Sequence, residues 1–169
     1  MRIAPFVTGA LLLAAVPVLA QALRGHDAKS PVDVEADRIE VQDRADRAVF
    51  SGNVSVRQGD LTLRASRLTV AYAREDGNVD IERLDASGGV TVRSPSETAR
   101  GDFAVYDLNR RIITVLGGVE LDQGQNRIRG SRLVIDLDSG RATVDGRSAG
   151  GEGHNGRVTG RFTVAGARK

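Results

Sequence analysis

The sequence predicts an elongated all-β fold of repeated short antiparallel strands. Three observations predict it: a short phrase that recurs four times, apolar residues that alternate with polar ones, and turn residues at regular intervals. The phrase reads A-D-R-I-E-V at 36–41, A-S-R-L-T-V at 65–70, G-D-F-A-V at 101–105 and G-S-R-L-V-I at 130–135. A second phrase, Gly-x-Val, interleaves with it from Gly52, Gly88 and Gly117. Self-similarity at a period of about 20–50 residues marks one supersecondary unit stacked on copies of itself. Each copy buries its apolar face against its neighbours.

The elements follow in order. Arg2, the apolar stretch Ile3 to Leu19 and the small residues around Ala20 and Ala22 have the layout of a secretory signal peptide. It covers residues 1–20, with cleavage near 20–22. The alternative is a retained membrane anchor, since a span needs about 20 apolar residues, although Pro5, Thr8 and Pro17 interrupt this one. Residues 21–31 read as a polar linker. From Val32 the period becomes two, which signals strands. Ile39 and Val41, Val54 and Val56, Leu61 and Leu63, and Leu68 and Val70 each alternate with polar neighbours. The apolar parity flips between Val56 and Leu61 and again between Leu63 and Leu68. Each flip needs a turn or a bulge, because a one-residue slip exchanges the two faces, and Gln58-Gly59-Asp60 at the first and Ala65-Ser66-Arg67 at the second suit one. The block recurs 65 residues on: Val119 and Leu121 match Val54 and Val56, Ile128 matches Leu63, and Leu133 and Ile135 match Leu68 and Val70. A middle copy, 88–106, carries Pro95 at its tip and adds Val90, Val92, Phe103 and Val105 to the predicted inner face. Further short strands are predicted at Asp80–Ala86, Arg111–Leu116 and Arg141–Val144. The repeat domain therefore spans 32–146. A Gly-rich tail, 147–169, follows it and holds one possible terminal strand at 157–164. That strand either completes the sheet or docks on a partner.

Composition narrows the chemistry. Of the residues, 40% are hydrophobic and only 4% aromatic, so the core must be aliphatic. The net charge of +2 shows no one-sided basic excess of the kind a nucleic-acid binder carries. The cations are nearly all arginine, which fits either oxyanion recognition by guanidinium forks or a compositional bias. With no cysteine, disulfides and thiol chemistry are excluded. The two histidines, His26 and His154, lie in predicted linkers, which argues against a histidine metal site or a catalytic triad. Residues 151–156 match G-x-G-x-x-G but lack the strand before and helix after that a dinucleotide site needs. The tripeptide Arg100-Gly101-Asp102 sits inside the repeat phrase and reads as structure. The acids alternate with apolar residues as a solvated strand face requires, and no catalytic pair stands out. No cofactor or enzymatic activity is implied.

An apolar signal segment, then D-R-I-E-V, then F-S-G-N-V-S-V-R-Q-G-D-L-T-L-R-A-S-R-L-T-V at 50–70, resembles the OstA-like family of lipopolysaccharide transport proteins. The likeness covers about 32–144. It implies a twisted β-jellyroll in the periplasm that binds lipopolysaccharide, with acyl chains inside and sugars and phosphates outside. It also implies end-to-end docking, through edge strands, with inner-membrane and outer-membrane components, and head-to-tail self-association. The interior face, Ile39 through Ile135 as given above, would then be the lipid-binding surface. The alternatives are an inner-membrane-anchored member of the same system, or a structural β-solenoid that forms filaments.

Overall fold

The computed structural model describes residues 27, 29–146 and 156–163. The predicted signal peptide, most of the linker, the G-x-G-x-x-G stretch apart from Gly156, and the last six residues lie outside the described residues. Ten strands are described: β1 (Asp33–Glu35), β2 (Arg38–Gln42), β3 (Arg47–Gln58), β4 (Leu61–Glu75), β5 (Asn78–Arg93), β6 (Glu97–Asp107), β7 (Ile112–Gln123), β8 (Asn126–Asp136), β9 (Arg141–Asp145) and β10 (Thr159–Arg161). They form one antiparallel sheet in which β3 to β8 pair in sequence order. At one edge β1 and β2 both pair with β3; at the other β9 and β10 both pair with β8.

The hairpins form where the turn residues sit. Asp76 and Gly77 both take positive φ, 51° and 84°, between β4 and β5. That is the backbone a two-residue hairpin requires, and Asp-Gly is a preferred pair for it. Pro95 lies in the β5–β6 turn, where no ladder donor is lost.

The strands are longer than the sequence predicts. Asp80–Ala86 and Gly88–Val92 are two halves of β5, and Arg111–Leu116 runs on into β7. What looks like a break between elements is a bend within one. The pairing skips residues at Ser51/Val54, Arg64/Arg67, Ser87/Val90, Arg100/Phe103 and Leu116/Val119. These breaks lie level across the sheet, and at its edges the change of partner from β1 to β2 along β3 and from β10 to β9 along β8 falls on the same line. The sheet folds along it.

Both repeat phrases meet on that line. The second residue of each copy, Asp37, Ser66, Asp102 and Ser131, faces a glycine of a neighbouring segment: Gly52, Gly88 and Gly117 within strands, and Gly146 just after β9. Asp37 donates its backbone N–H to Gly52 O at 2.9 Å, Ser66 Oγ donates to Gly88 O at 2.7 Å, and Ser131 Oγ donates to Gly146 O at 2.8 Å. Gly117 has φ +77°, and a Cβ there would lie 2.9 Å from Asp102 Cβ. Only glycine takes that backbone freely. The interleaving of the two phrases is thus one repeated corner contact.

Candidate functional site

Folding along the corner sets two layers face to face. The first layer holds β1, 54–58 of β3, 61–65 of β4, 90–93 of β5, 97–100 of β6, 119–123 of β7, 126–129 of β8, and β10. The second holds β2, β9 and the remaining strand halves. Their inner faces share one apolar cluster. Leu68, Val115 and Leu133 are fully buried, and Val54, Val90, Ile113 and Val119 nearly so.

Most residues predicted to point inward do so. Val54, Val56, Leu61, Leu63, Leu68, Val70, Val90, Val92, Val119, Leu121, Leu133 and Ile135 are all buried. Ile128 is partly buried and packs against the same cluster. Four predicted residues are placed otherwise. Phe103 and Val105 face outward; Ala104 and Tyr106 take the inner positions. In the repeat, Ala104 and Tyr106 align with Leu68 and Val70, so copy alignment specifies the parity that side-chain size obscures. Ile39 and Val41 pair with Phe50 and Ala48 and share their inner face. Yet they are 56% and 58% exposed, because no described residue covers that edge. Sequence reasoning also missed Leu84, Ala86, Ala99, Val115 and two inward polar residues, Gln58 and Glu97.

At mid-length the interior is filled. Between Val56, Leu63, Leu84, Val92 and Ile113 only about 10 Å³ stays open, no more than a single water needs. At the β9–β10 end it widens to a cavity of about 280 Å³, lined by Leu121, Ile128, Ala142, Val144, Val158 and Phe162, with Glu97, Gln123 and Asn126 at its polar side. Gly160 of β10 faces Ile128, the place that Leu121 holds on the other side of β8, and the Phe162 ring lies against it where a side chain at 160 would stand. Gln123 Nε2 donates to Glu97 Oε1 at 2.8 Å across β6–β7. At the opposite end Ile39 and Val41 extend the inner face into solvent. The interior is therefore apolar, closed in the middle and open at both ends.

Residues 33–141 match the family described as LptA/(LptD N-terminal domain) LPS transport protein. The chain belongs to this family. It is 35% identical over 121 residues to the uncharacterized protein R00383 of Rhizobium meliloti, with 68% of this chain and 65% of that protein covered. It is 29% identical to the LPS-assembly protein LptD of Sodalis glossinidius over 80% of this chain but only 16% of that much longer protein. To the lipopolysaccharide export system protein LptH of Pseudomonas aeruginosa it is 27% identical, covering 69% and 72% of the two chains. The crystal structure of LptH, described as the LptA-homologous periplasmic component of a lipopolysaccharide transport device, matches with a TM-score of 0.72. That match covers 82% of this chain and 99% of the other at 18% identity, and shows the shared β-jellyroll fold.

The family match begins at the first residue of β1 and ends at the first of β9, so β10 is added beyond it. The strand predicted at 157–164 thus lies on this chain's own sheet, over 159–161.

Glu97 apart, the charged residues among those described stand outside the core. Asp122 is held below the usual carboxylate range by Arg127 at 2.6 Å, with Arg100 also contributing. Arg111 pairs with Asp138 at 2.7 Å. No helix among the described residues is long and apolar enough to cross a membrane.

One polar pair ties the two layers. Tyr106 O–H donates to Gln58 Oε1 at 3.0 Å, and Gln58 Nε2 donates to Ser30 O at 3.0 Å. Burial pushes the Tyr106 phenol up to about 12, and Arg111 lowers it slightly in opposition. Tyrosine in the unfolded chain titrates near about 10. The folded state keeps a proton that the unfolded state releases, so this stabilisation is present below about pH 10 and is lost as the pH rises towards about 12. Tyr106→Phe should cost about 1 kcal/mol at pH 8, where Gln58 loses its donor. By pH 11 the gap to the parent should close by about 1 kcal/mol. Denaturant midpoints at the two pH values measure this; a gap that stays constant removes the layer-tying role of Tyr106.

Proposed function

We propose that this protein is a non-enzymatic lipopolysaccharide-binding bridge of the periplasm. Acyl chains lie between the layers, and like-folded domains of inner-membrane and outer-membrane components dock at the two open edges. One observation supports this most: a single apolar inner face that continues uncovered into solvent at both ends. Acyl chains gain about 0.8 kcal/mol per buried methylene, and that gain offsets spreading of the filled middle. Among the described residues no strand pairs with the outer sides of β1–β2 and of β9–β10, and the N–H and C=O groups there invite strand pairing. One edge differs from the other, so the contact is head to tail and can grow.

The mouths provide the test. Ile39→Asp combined with Val41→Asp changes one end, and Phe162→Asp the other. Phe162 is 51% exposed, like its counterparts, so each variant should keep the parent's stability within about 0.5 kcal/mol. Self-association in sedimentation, and capture of a like-folded domain, should fall at least about tenfold, the loss of about 1.4 kcal/mol of contact. Lipopolysaccharide binding by the single molecule should fall less than assembly does, because the buried part of the inner face is unchanged. Undiminished assembly by both variants would show that the edges are not the docking surfaces.

A further inference from the structure

The inner face uses the apolar residues and leaves the arginines unexplained. On the outside of the first layer, cross-strand pairing sets out two rows from β3 to β6. One reads Ser55, Arg64, Thr91, Arg100; the other reads Arg57, Thr62, Arg93, Thr98. Arginine and hydroxyl side chains therefore alternate both along and across four neighbouring strands. Strands about 4.8 Å apart that rise about 3.3 Å per residue put successive arginines about 8 Å apart in a zigzag.

Carboxylates stand only at the borders of this tile. Asp33 and Glu35 lie on β1, and Glu120 and Asp122 on β7. Arg100 is paired with Glu120 and Asp122. Arg57, Arg64 and Arg93 are exposed and form no ion pair with a described residue, although Asp33 lies opposite Arg57. The second layer is more mixed: Arg83 pairs with Asp85 at 2.7 Å and Arg132 with Asp145 at 3.7 Å, while Arg67 stands between Ser51 and Ser87. Across β3 to β6 the outer face of the first layer holds four arginines and no carboxylate.

Guanidinium forks with neighbouring hydroxyls suit oxyanions that accept two hydrogen bonds each. The tile carries no apolar side chain to insert into a partner. It is a sheet face rather than a cleft, so a single small anion would be held on one side only. Cations repeating in two dimensions complement phosphates repeating in two dimensions. We propose that this face docks the protein, reversibly, on the phosphate headgroups of an anionic phospholipid membrane surface. The inner cluster lies on the opposite side of the same layer, so this proposal does not depend on what the interior holds.

The test is cosedimentation of the full chain with vesicles of phosphatidylglycerol and phosphatidylcholine in equal parts, at low ionic strength. Binding is expected. It should be absent with phosphatidylcholine alone and should weaken with salt, because exposed charges are screened. The triple variant Arg57→Gln, Arg64→Gln, Arg93→Gln should bind roughly a hundredfold more weakly, three cations near an anionic surface having been removed. Arg47→Gln, Arg67→Gln, Arg132→Gln on the second layer makes the same change in net charge and should bind as the parent does. Circular dichroism of both variants should be unchanged. Equal loss in the two triple variants would reduce the effect to net charge and overturn the proposal, as would absence of binding by the parent. Competition by inorganic phosphate beyond its ionic strength would also overturn it, by assigning the face to free phosphate.

Discussion

Leu68→Asp and Leu133→Asp are each expected to cost several kcal/mol, about 4–5, and to leave much of the protein unfolded. Both side chains are at 0% exposure, at equivalent places in two repeats. Each position lies beside the corner, on an inner face shared by both layers. A carboxylate there loses its hydration and gains no cation, since the arginines stand on the outer faces. Domain stabilities of about 5–15 kcal/mol leave little margin for such a change. Val134→Asp is the control: it is the next residue along β8, faces outward, and should be tolerated to within about 1 kcal/mol. Denaturant unfolding measures all three. Equal midpoints for Leu133→Asp and Val134→Asp would show that the inward assignment is wrong.

Gly117→Ala should be the next most damaging change, at about 2–5 kcal/mol. The left-handed backbone at φ +77° costs an alanine about 1–2 kcal/mol. The added Cβ also meets the Asp102 side chain at the corner, and overpacking of this kind costs about 1–3 kcal/mol. Gly118→Ala tests the steric part, because a Cβ at Gly118 meets nothing within 4 Å although its φ is also positive, +52°. It should cost only the backbone part. If the two alanine variants melt together, the Asp102 contact does not shape the corner.

How far the sequence could be read depended on which physical signal each feature left. Period-two alternation at Val54–Val56, Leu61–Leu63 and Leu68–Val70 reports burial directly, and those residues are buried. The predicted parity flip at Ala65-Ser66-Arg67 corresponds to the break in the β4–β5 ladder. The middle copy misleads because its inner positions hold small Ala104 and polar-tipped Tyr106, while Phe103 and Val105 look more apolar. Edge exposure at Ile39 and Val41 leaves no local trace, since a strand at the border of a sheet has the same alternation as one inside it. The arginine tile was hidden for a similar reason. Arg57, Arg64, Arg93 and Arg100 are scattered along the chain, and only cross-strand pairing gathers them.

The central claim is that lipopolysaccharide acyl chains lie between the two layers. The most direct measurement is photocrosslinking from single positions in the intact chain, followed by detection of attached lipopolysaccharide. Ile128, Val144 and Phe50 face inward and are only partly buried, so a probe fits there with little disturbance. Thr69, Val105 and Val134 lie outward on neighbouring strands at intermediate exposure. Attachment from the first three and not from the second three is the predicted result. Attachment from both sets alike, or from the outward set alone, would contradict it.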